Sequence, residues 1–195
     1  MLLKLYQSGQ PILRQIATKV SPQELPHDHV QGVIDFMIET LRDAPGVGLA
    51  APQIGESLQI IIVEDLEKYH DIVPPDLLSE QGRQPVELTV LINPVLEVID
   101  VDPALYFEGC LSIDGYCAAI QRAKVVKVSA LDRTGKSITY TAHNWQARIL
   151  QHEVDHLKGM LYIDRMETRS FMSLKYFGLE WRKRYTAEIS SAFIS

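Results

Sequence analysis

The stretch Arg148–Gly159, RILQHEVDHLKG, constrains this chain more than any other, because it sets two histidines four residues apart with a glutamate directly after the first. On a helix, side chains at i and i+4 lie one above the other on the same face. At about 100° per residue, Trp145, Ile149, Leu150, His152, Glu153, Val154, His156 and Leu157 share one arc, and Arg148, Gln151, Asp155 and Lys158 fill the opposite one. The histidines are therefore expected to face inward among apolar neighbours. The second arc is expected to face outward, with Asp155 supporting the helix through Gln151 or Lys158. Asn144 is placed to cap the helix and Gly159 to end it. Two such histidines project in parallel and can share one ion, and a glutamate one position on can reach a water beside that ion.

Two nitrogen ligands do not complete a site. The peptidase pattern HExxHxxGxxH continues as far as Gly159 but meets Tyr162 where its third histidine belongs. Other HExxH peptidases use a glutamate about 20 residues further on, and Tyr176 occupies that distance. A thiolate is the remaining strong candidate. Cys110 sits in FEGCLS, where Gly109 allows close backbone approach. Cys117, in DGYCAAI, reads as a small buried hydrophobe. The two cysteines are too few for a secreted disulfide framework and too far apart for a CxxC zinc site.

The rest of the chain supplies the frame. Pro26–Asp43 carries Val30, Val33, Ile34, Met37, Ile38 and Leu41 at helical steps. Leu58–Glu64 and Val86–Ile99 are rich in β-branched residues and read as strands, and Asp65–Pro85 between them, charged and holding a Pro-Pro pair, reads as a mobile loop or a flap. AKVVKVSALD and SITYTA flank RTGK as a hairpin, and Phe171–Ser191 is weakly helical. Strands and helices do not alternate as βαβ, so the expected class is α+β, with largely antiparallel strands around a central HExxH helix. The expected organisation is a catalytic domain over 1–165, with 166–195 a tail or helix packed on it. A net charge of −6 excludes a protein that lives by gripping nucleic-acid phosphates, and the basic WRKRY at Trp181–Tyr185 reads as a solvated helix face. No apolar run approaches the roughly 18 residues of a membrane span, and MLLKLYQSGQ has no signal-peptide core. The expected location is cytoplasmic, or organellar after removal of a transit peptide. His27 and His29 read as exposed loop and cap residues.

Three motifs in order, GVGLAAPQ (Gly46–Gln53), EGCLS (Glu108–Ser112) and QHEVDH (Gln151–His156), resemble the peptide deformylase family, and the resemblance runs from QSGQPILRQIA to LYIDRM. It implies a peptide deformylase-like fold and removal of the formyl group from the initiator formyl-methionine of nascent polypeptides, with release of formate. It implies Cys110, His152 and His156 as metal ligands and Glu153 as general acid/base, with Gln53 and the Leu111 N–H on the oxyanion. It also implies Val47 and Gly48 as backbone partners of the peptide, with Tyr106, Glu108, Trp145 and Ile149 bordering the methionine pocket. The implied cofactor is one divalent ion, Fe(2+) natively, with Zn(2+), Ni(2+) or Co(2+) as substitutes. The implied partners are N-formylmethionyl peptides and, transiently, the ribosome, with no specific nucleic-acid sequence and no membrane. EGCLSIDGY and NWQAR are closest to the plant mitochondrial type of the family. The rivals are an HExxH peptidase acting on internal bonds and a closed structural zinc site.

Overall fold

The computed structural model describes residues 4–194. Five strands form one sheet in the order β1-β2-β3-β4-β5: Gly48–Ala50 (β1), Ile60–Asp65 (β2), Val86–Cys110 (β3), Ile113–Leu131 (β4) and Ser137–His143 (β5). Each neighbouring pair is antiparallel, and a short strand, Met172–Ser173 (β6), pairs with β4 near Tyr116. The helices are Asp28–Asp43 (α1), Pro75–Gln81 (α2), Asn144–Leu157 (α3), Leu174–Tyr176 (α4) and Thr186–Phe193 (α5). The α+β architecture expected from the sequence is the one observed.

Side chains alternate along β2 between two cores. Ile61 and Val63 meet Leu150 and Val154 of α3 on one face, while Ile60 and Ile62 meet Ile34, Met37 and Leu41 of α1 on the other. A strand covered on both faces needs no polar alternation, which is why IIIV forms one. Each fully buried side chain of this size contributes roughly 1.5–3 kcal/mol of hydrophobic stabilisation, so α1 is held by its apolar stripe. The HExxH helix is thereby pressed against the sheet centre.

β3 runs eleven residues beyond the expected end at Ile99, through register shifts on either side of Asp100 that accommodate Pro103. With β4 it makes a long hairpin whose link is Leu111–Ser112, so Cys110 stands at its tip, opposite Ile113. The RTGK hairpin forms as expected, with Asp132 Oδ1 accepting from the N–H groups of Thr134 and Lys136.

Three local expectations are corrected. Asp65–Pro85 is not a structureless loop: it holds a 3-10 turn at Glu67–Tyr69 and α2, entered at Pro75 as first-turn prolines enter helices, and Arg83 bonds Asp65 through two 2.8 Å hydrogen bonds. Asn144 does not cap α3 through its side chain. It lies at φ 51°, in the left-handed region asparagine tolerates, against Gly82. Phe171–Ser191 breaks into β6, α4, a π turn at Phe177–Trp181 and α5, so WRKRY falls mostly on the turn before α5. This segment packs through Ile189, Trp181 and Phe193 onto Leu105 and Phe107 of β3. Among the described residues no helix is long and apolar enough to cross a membrane.

Candidate metal centre

The fold brings the three motifs to one point. Donor atoms of Cys110, His152 and His156 all lie within 4.8 Å of one another. Cys110 Sγ is 3.2 Å from His156 Nε2, and the two imidazole rings are 5.1 Å apart. Cys110 arrives on the β3–β4 hairpin and both histidines on α3, which ends at Leu157 before a left-handed Gly159. Tyr162, at the position of a peptidase's third histidine, is buried and lies face-on to His152 with ring centroids 6.4 Å apart, packing against the site without entering the donor group.

Gln53 reaches the same point from the 3-10 turn after β1. Its Oε1 accepts from the Ala50 N–H at 2.8 Å, which turns its Nε2 toward Ser112 Oγ at 3.2 Å and Cys110 Sγ at 3.5 Å. Leu111, next to Cys110 in the hairpin link, packs its side chain against the α1 core. Glu153 is buried, and a Cβ at Gly48 would overlap its carboxylate, so β1 passes directly over the acid and a side chain there would displace it. The Glu153 Oε2 and His156 Nδ1 atoms are buried without a hydrogen-bond partner among the described residues. Burial pushes Glu153 up to about 7, with His152 opposing and Glu108 adding to the rise.

A buried charge network lies behind the donors. Glu108 accepts from Arg122 at 3.0 Å through each oxygen, from Arg148 at 2.7 Å, and faces His152 Nδ1 at 2.9 Å. Burial alone would raise the Glu108 carboxyl. The Arg122 charge, the His152 bond and Arg148 override it and hold the group well below the carboxylate range. An ionised Glu108 fixes the His152 proton on Nδ1 and presents Nε2 to the centre. Burial, then the His152 and Arg122 charges, drive His156 well below its ordinary value, so its ring is neutral and able to ligate. Despite burial, His152 is driven well above its ordinary value by Cys110 and Glu108, as suits a place that attracts positive charge. A soft sulfur donor, two imidazoles and partnerless polar atoms together fit a divalent transition-metal ion.

Arg148 and Asp155 are corrected here. Expected on a solvated arc, they are 3% and 5% exposed. Asp155 pairs with Arg122 at 2.5 Å and with Arg165 at 3.0 Å, while Arg148 also donates to the Ala104 and Ile120 carbonyls. Arg122 on β4 supplies the counter-charge for Asp155 and Glu108 on β3 that for Arg148, so these polar residues of the second arc are buried in pairs. Arg122 had no signal of its own, being one of several polar residues along β4, next to Gln121 and two before Lys124. Cys117 is buried as expected, and burial pushes its thiol up to about 12.

The expected pocket residues also converge. Val47, Trp145 and Ile149 join one apolar cluster, and the Tyr106 and Trp145 rings meet edge-on at 6.0 Å. Glu108 lies two residues after Tyr106, but its carboxylate is fully engaged by Arg122, Arg148 and His152.

Against known families, residues 2–171 match the model described as polypeptide deformylase. The chain belongs to this family. Peptide deformylase 1A, chloroplastic/mitochondrial, of Arabidopsis thaliana is 48% identical over 167 residues, which are 86% of this chain and 62% of that protein. The mitochondrial peptide deformylase of Homo sapiens is 36% identical over 86% of this chain and 69% of its own length. The chain thus spans under two thirds of the plant deformylase. Among solved structures, the Met-Ala-Ser-bound class I type b peptide deformylase from Acinetobacter baumannii superposes with a TM-score of 0.75 at 33% identity, covering 85% of this chain and 99% of that one. The deformylase match ends at residue 171, just before β6, so α4 and α5 lie outside it.

Proposed function

We propose that this chain is a metal-dependent hydrolase that removes the N-formyl group from the initiator formyl-methionine of nascent polypeptides and releases formate. The observation that carries the reading is the convergence of Cys110, His152 and His156 within 4.8 Å, with the Glu153 carboxylate held beneath Gly48 at the same point. Support comes from the relative whose structure holds Met-Ala-Ser, a deformylated product.

Cys110 Sγ and the Nε2 atoms of His152 and His156 would hold the ion. When bound, it supplies Lewis acidity toward water and the formyl oxygen. Ferrous iron is the proposed native metal, with zinc, nickel or cobalt as substitutes, since one thiolate tilts the site toward softer ions while availability decides among them. Glu153, held near neutrality by burial, takes the proton as water attacks the formyl carbon and returns it to the departing amine. The Gln53 Nε2–H and the Leu111 N–H donate to the oxygen on which charge grows, and Gln53 is pre-aimed by Ala50. Val47 and Gly48, at the start of β1, offer backbone to the peptide, independently of its side chains. Tyr106, Trp145 and Ile149 line the methionine pocket, and Glu108 borders it while orienting His152.

The proposed catalytic unit is 1–165 with 166–195 a tail on it, a reading supported by Ile189 and Trp181 packing on β3. Contact with the ribosome is transient and reads no nucleic-acid sequence. The enzyme acts where translation starts with formyl-methionine: a bacterial cytoplasm or, after loss of a transit peptide, an organelle like those named for the plant and human relatives.

With ferrous iron under reducing conditions, the protein is expected to release formate from formyl-Met-Ala-Ser. Glu153→Gln is expected to keep its metal and lose activity by about 10²–10⁴-fold. No formate from the parent protein, or cleavage of unformylated peptides instead, sinks the proposal. A fully coordinated ion with no catalysis supports the structural rival.

A further inference from the structure

The segment from Leu66 to Pro85 lies outside all three motifs, yet it touches the methionine pocket from behind. Asp65, fully buried at the end of β2, accepts from Arg83 Nε and Nη2 at 2.8 Å each, and His70 Nε2 lies 3.3 Å from its Oδ1. Because Asp65 also pairs with Val86 at the start of β3, this clamp closes the loop that carries α2. From there the Arg83 guanidinium lies 5.0 Å from the centre of the Trp145 ring. The other aromatic wall is tied to the same segment: the Tyr106 hydroxyl donates to the Glu80 carbonyl at 3.0 Å. The Trp145 Nε1 is buried without a hydrogen-bond partner among the described residues, so no polar bond of its own fixes the indole.

We propose that Arg83 is a specificity-determining positioning residue: held by Asp65, it braces the Trp145 indole and so sets the size of side chain the pocket accepts. The inference rests on the deformylase reading of the site. A guanidinium on an aromatic face is attracted to it, and a two-bond clamp prevents that guanidinium from moving away. Arg148, 5.9 Å from the same ring, is bound to Glu108 and two backbone carbonyls and cannot follow the indole if it shifts. Without Arg83 the indole gains room toward α2, and the pocket admits bulkier side chains at the expense of its fit to methionine.

The test compares formyl-Met-Ala-Ser with formyl-Phe-Ala-Ser in the parent, in Arg83→Met, and in Asp65→Asn/Arg83→Met. The double variant guards against unfolding caused by an unpaired buried Asp65. The kcat/KM ratio of methionine over phenylalanine is expected to fall by about tenfold or more in both variants, mainly through KM. In a Trp181→Phe background, where Trp145 is the sole indole, the same changes are expected to shift its emission to the red and increase quenching by acrylamide. A folded variant in which either readout stays at the parent's value overturns the inference, even if its melting temperature falls. If the parent itself releases no formate, the function reading has failed instead. The fluorescence alone then decides whether Arg83 holds the indole.

Discussion

Gly48→Ala separates position from stability in the catalytic machinery. A Cβ on Gly48 would fall within 3 Å of the Cγ, Cδ and Oε1 atoms of Glu153, inside any normal van der Waals contact. Three of the four outer side-chain atoms are affected, so bending the carboxylate tip cannot relieve the overlap. Either β1 lifts off α3, or Glu153 rotates as a unit. Lifting β1 disturbs Leu49 and Ala50, both wholly buried, and overpacking of that kind costs about 1–3 kcal/mol. Rotation costs less, because Glu153 Oε2 has no hydrogen bond to lose among the described residues. It also removes the base from where water and substrate meet, and displacement by about 1 Å is worth roughly 10²-fold in rate. Gly48→Ala should therefore lower kcat for formate release by about 10²-fold or more while Tm falls by only about 2–4 °C, the shift that roughly 1 kcal/mol produces in a domain of this size. Metal content by elemental analysis should be unchanged. The decisive measurement is a double-mutant cycle: added to Glu153→Gln, Gly48→Ala should cost little more, because both act on one group. Additive losses, or a kcat within about threefold of the parent, would refute the reasoning and assign Gly48 to peptide binding alone.

Other perturbations follow from the same contacts. Glu108→Ala leaves Arg122 and Arg148 with a lost partner and His152 without its Nδ1 acceptor, so metal affinity by chelator competition should drop about 10–100-fold, with clear loss of Tm; unchanged affinity would count against the orienting role. Removing the metal with a chelator should abolish formate release, and adding ferrous iron should restore it to the parent but not to Cys110→Ala; equal restoration would exclude Cys110 as a ligand. Glu64, bonded to Arg42 at 2.7 and 2.9 Å, is held below its usual range by that bond. Its folded value lies below its unfolded one, so its stabilisation is present above about pH 4.5 and disappears as pH falls through the lower folded value. Glu64→Gln should therefore flatten the acid side of a Tm-against-pH profile, and an unchanged slope would show that the pair adds nothing.

The parts of this protein legible in its sequence are those where periodicity or residue chemistry leaves few solutions. The α1 stripe, the RTGK turn and the inward arc of α3 each follow from local spacing, and each is observed. The donors were legible for a different reason: a helix bearing two inward histidines needs a third ligand, and Cys110 was the candidate left. The Asp65–Pro85 segment was harder, because it is tied down by contacts distant in sequence, such as the ion pair between Asp65 and Arg83 and the Tyr106 bond to Glu80, and not by any repeat. Asn144 misled for a related reason. Capping preference is local, but Asn144 takes a left-handed turn with its side chain against Gly82, a neighbour 62 residues away that local preference does not see.

The outer arc of α3 shows why polar sequence alone is a poor guide to solvent. Arg148, Asp155 and, across on β4, Arg122 would each be costly to bury alone, and a sequence rule that treats them one at a time places them all outside. In the fold they are buried together with Glu108, two guanidiniums to two carboxylates, and His152 donates its Nδ1–H to Glu108. Replacing such a cluster with apolar side chains could leave the fold equally stable, because buried ion pairs contribute little net stability. What apolar substitutes could not do is hold the His152 proton on Nδ1. The charged cluster is therefore better explained by the donor geometry of Cys110, His152 and His156 than by stability, and the four charges serve the proposed metal centre although none of them belongs to it.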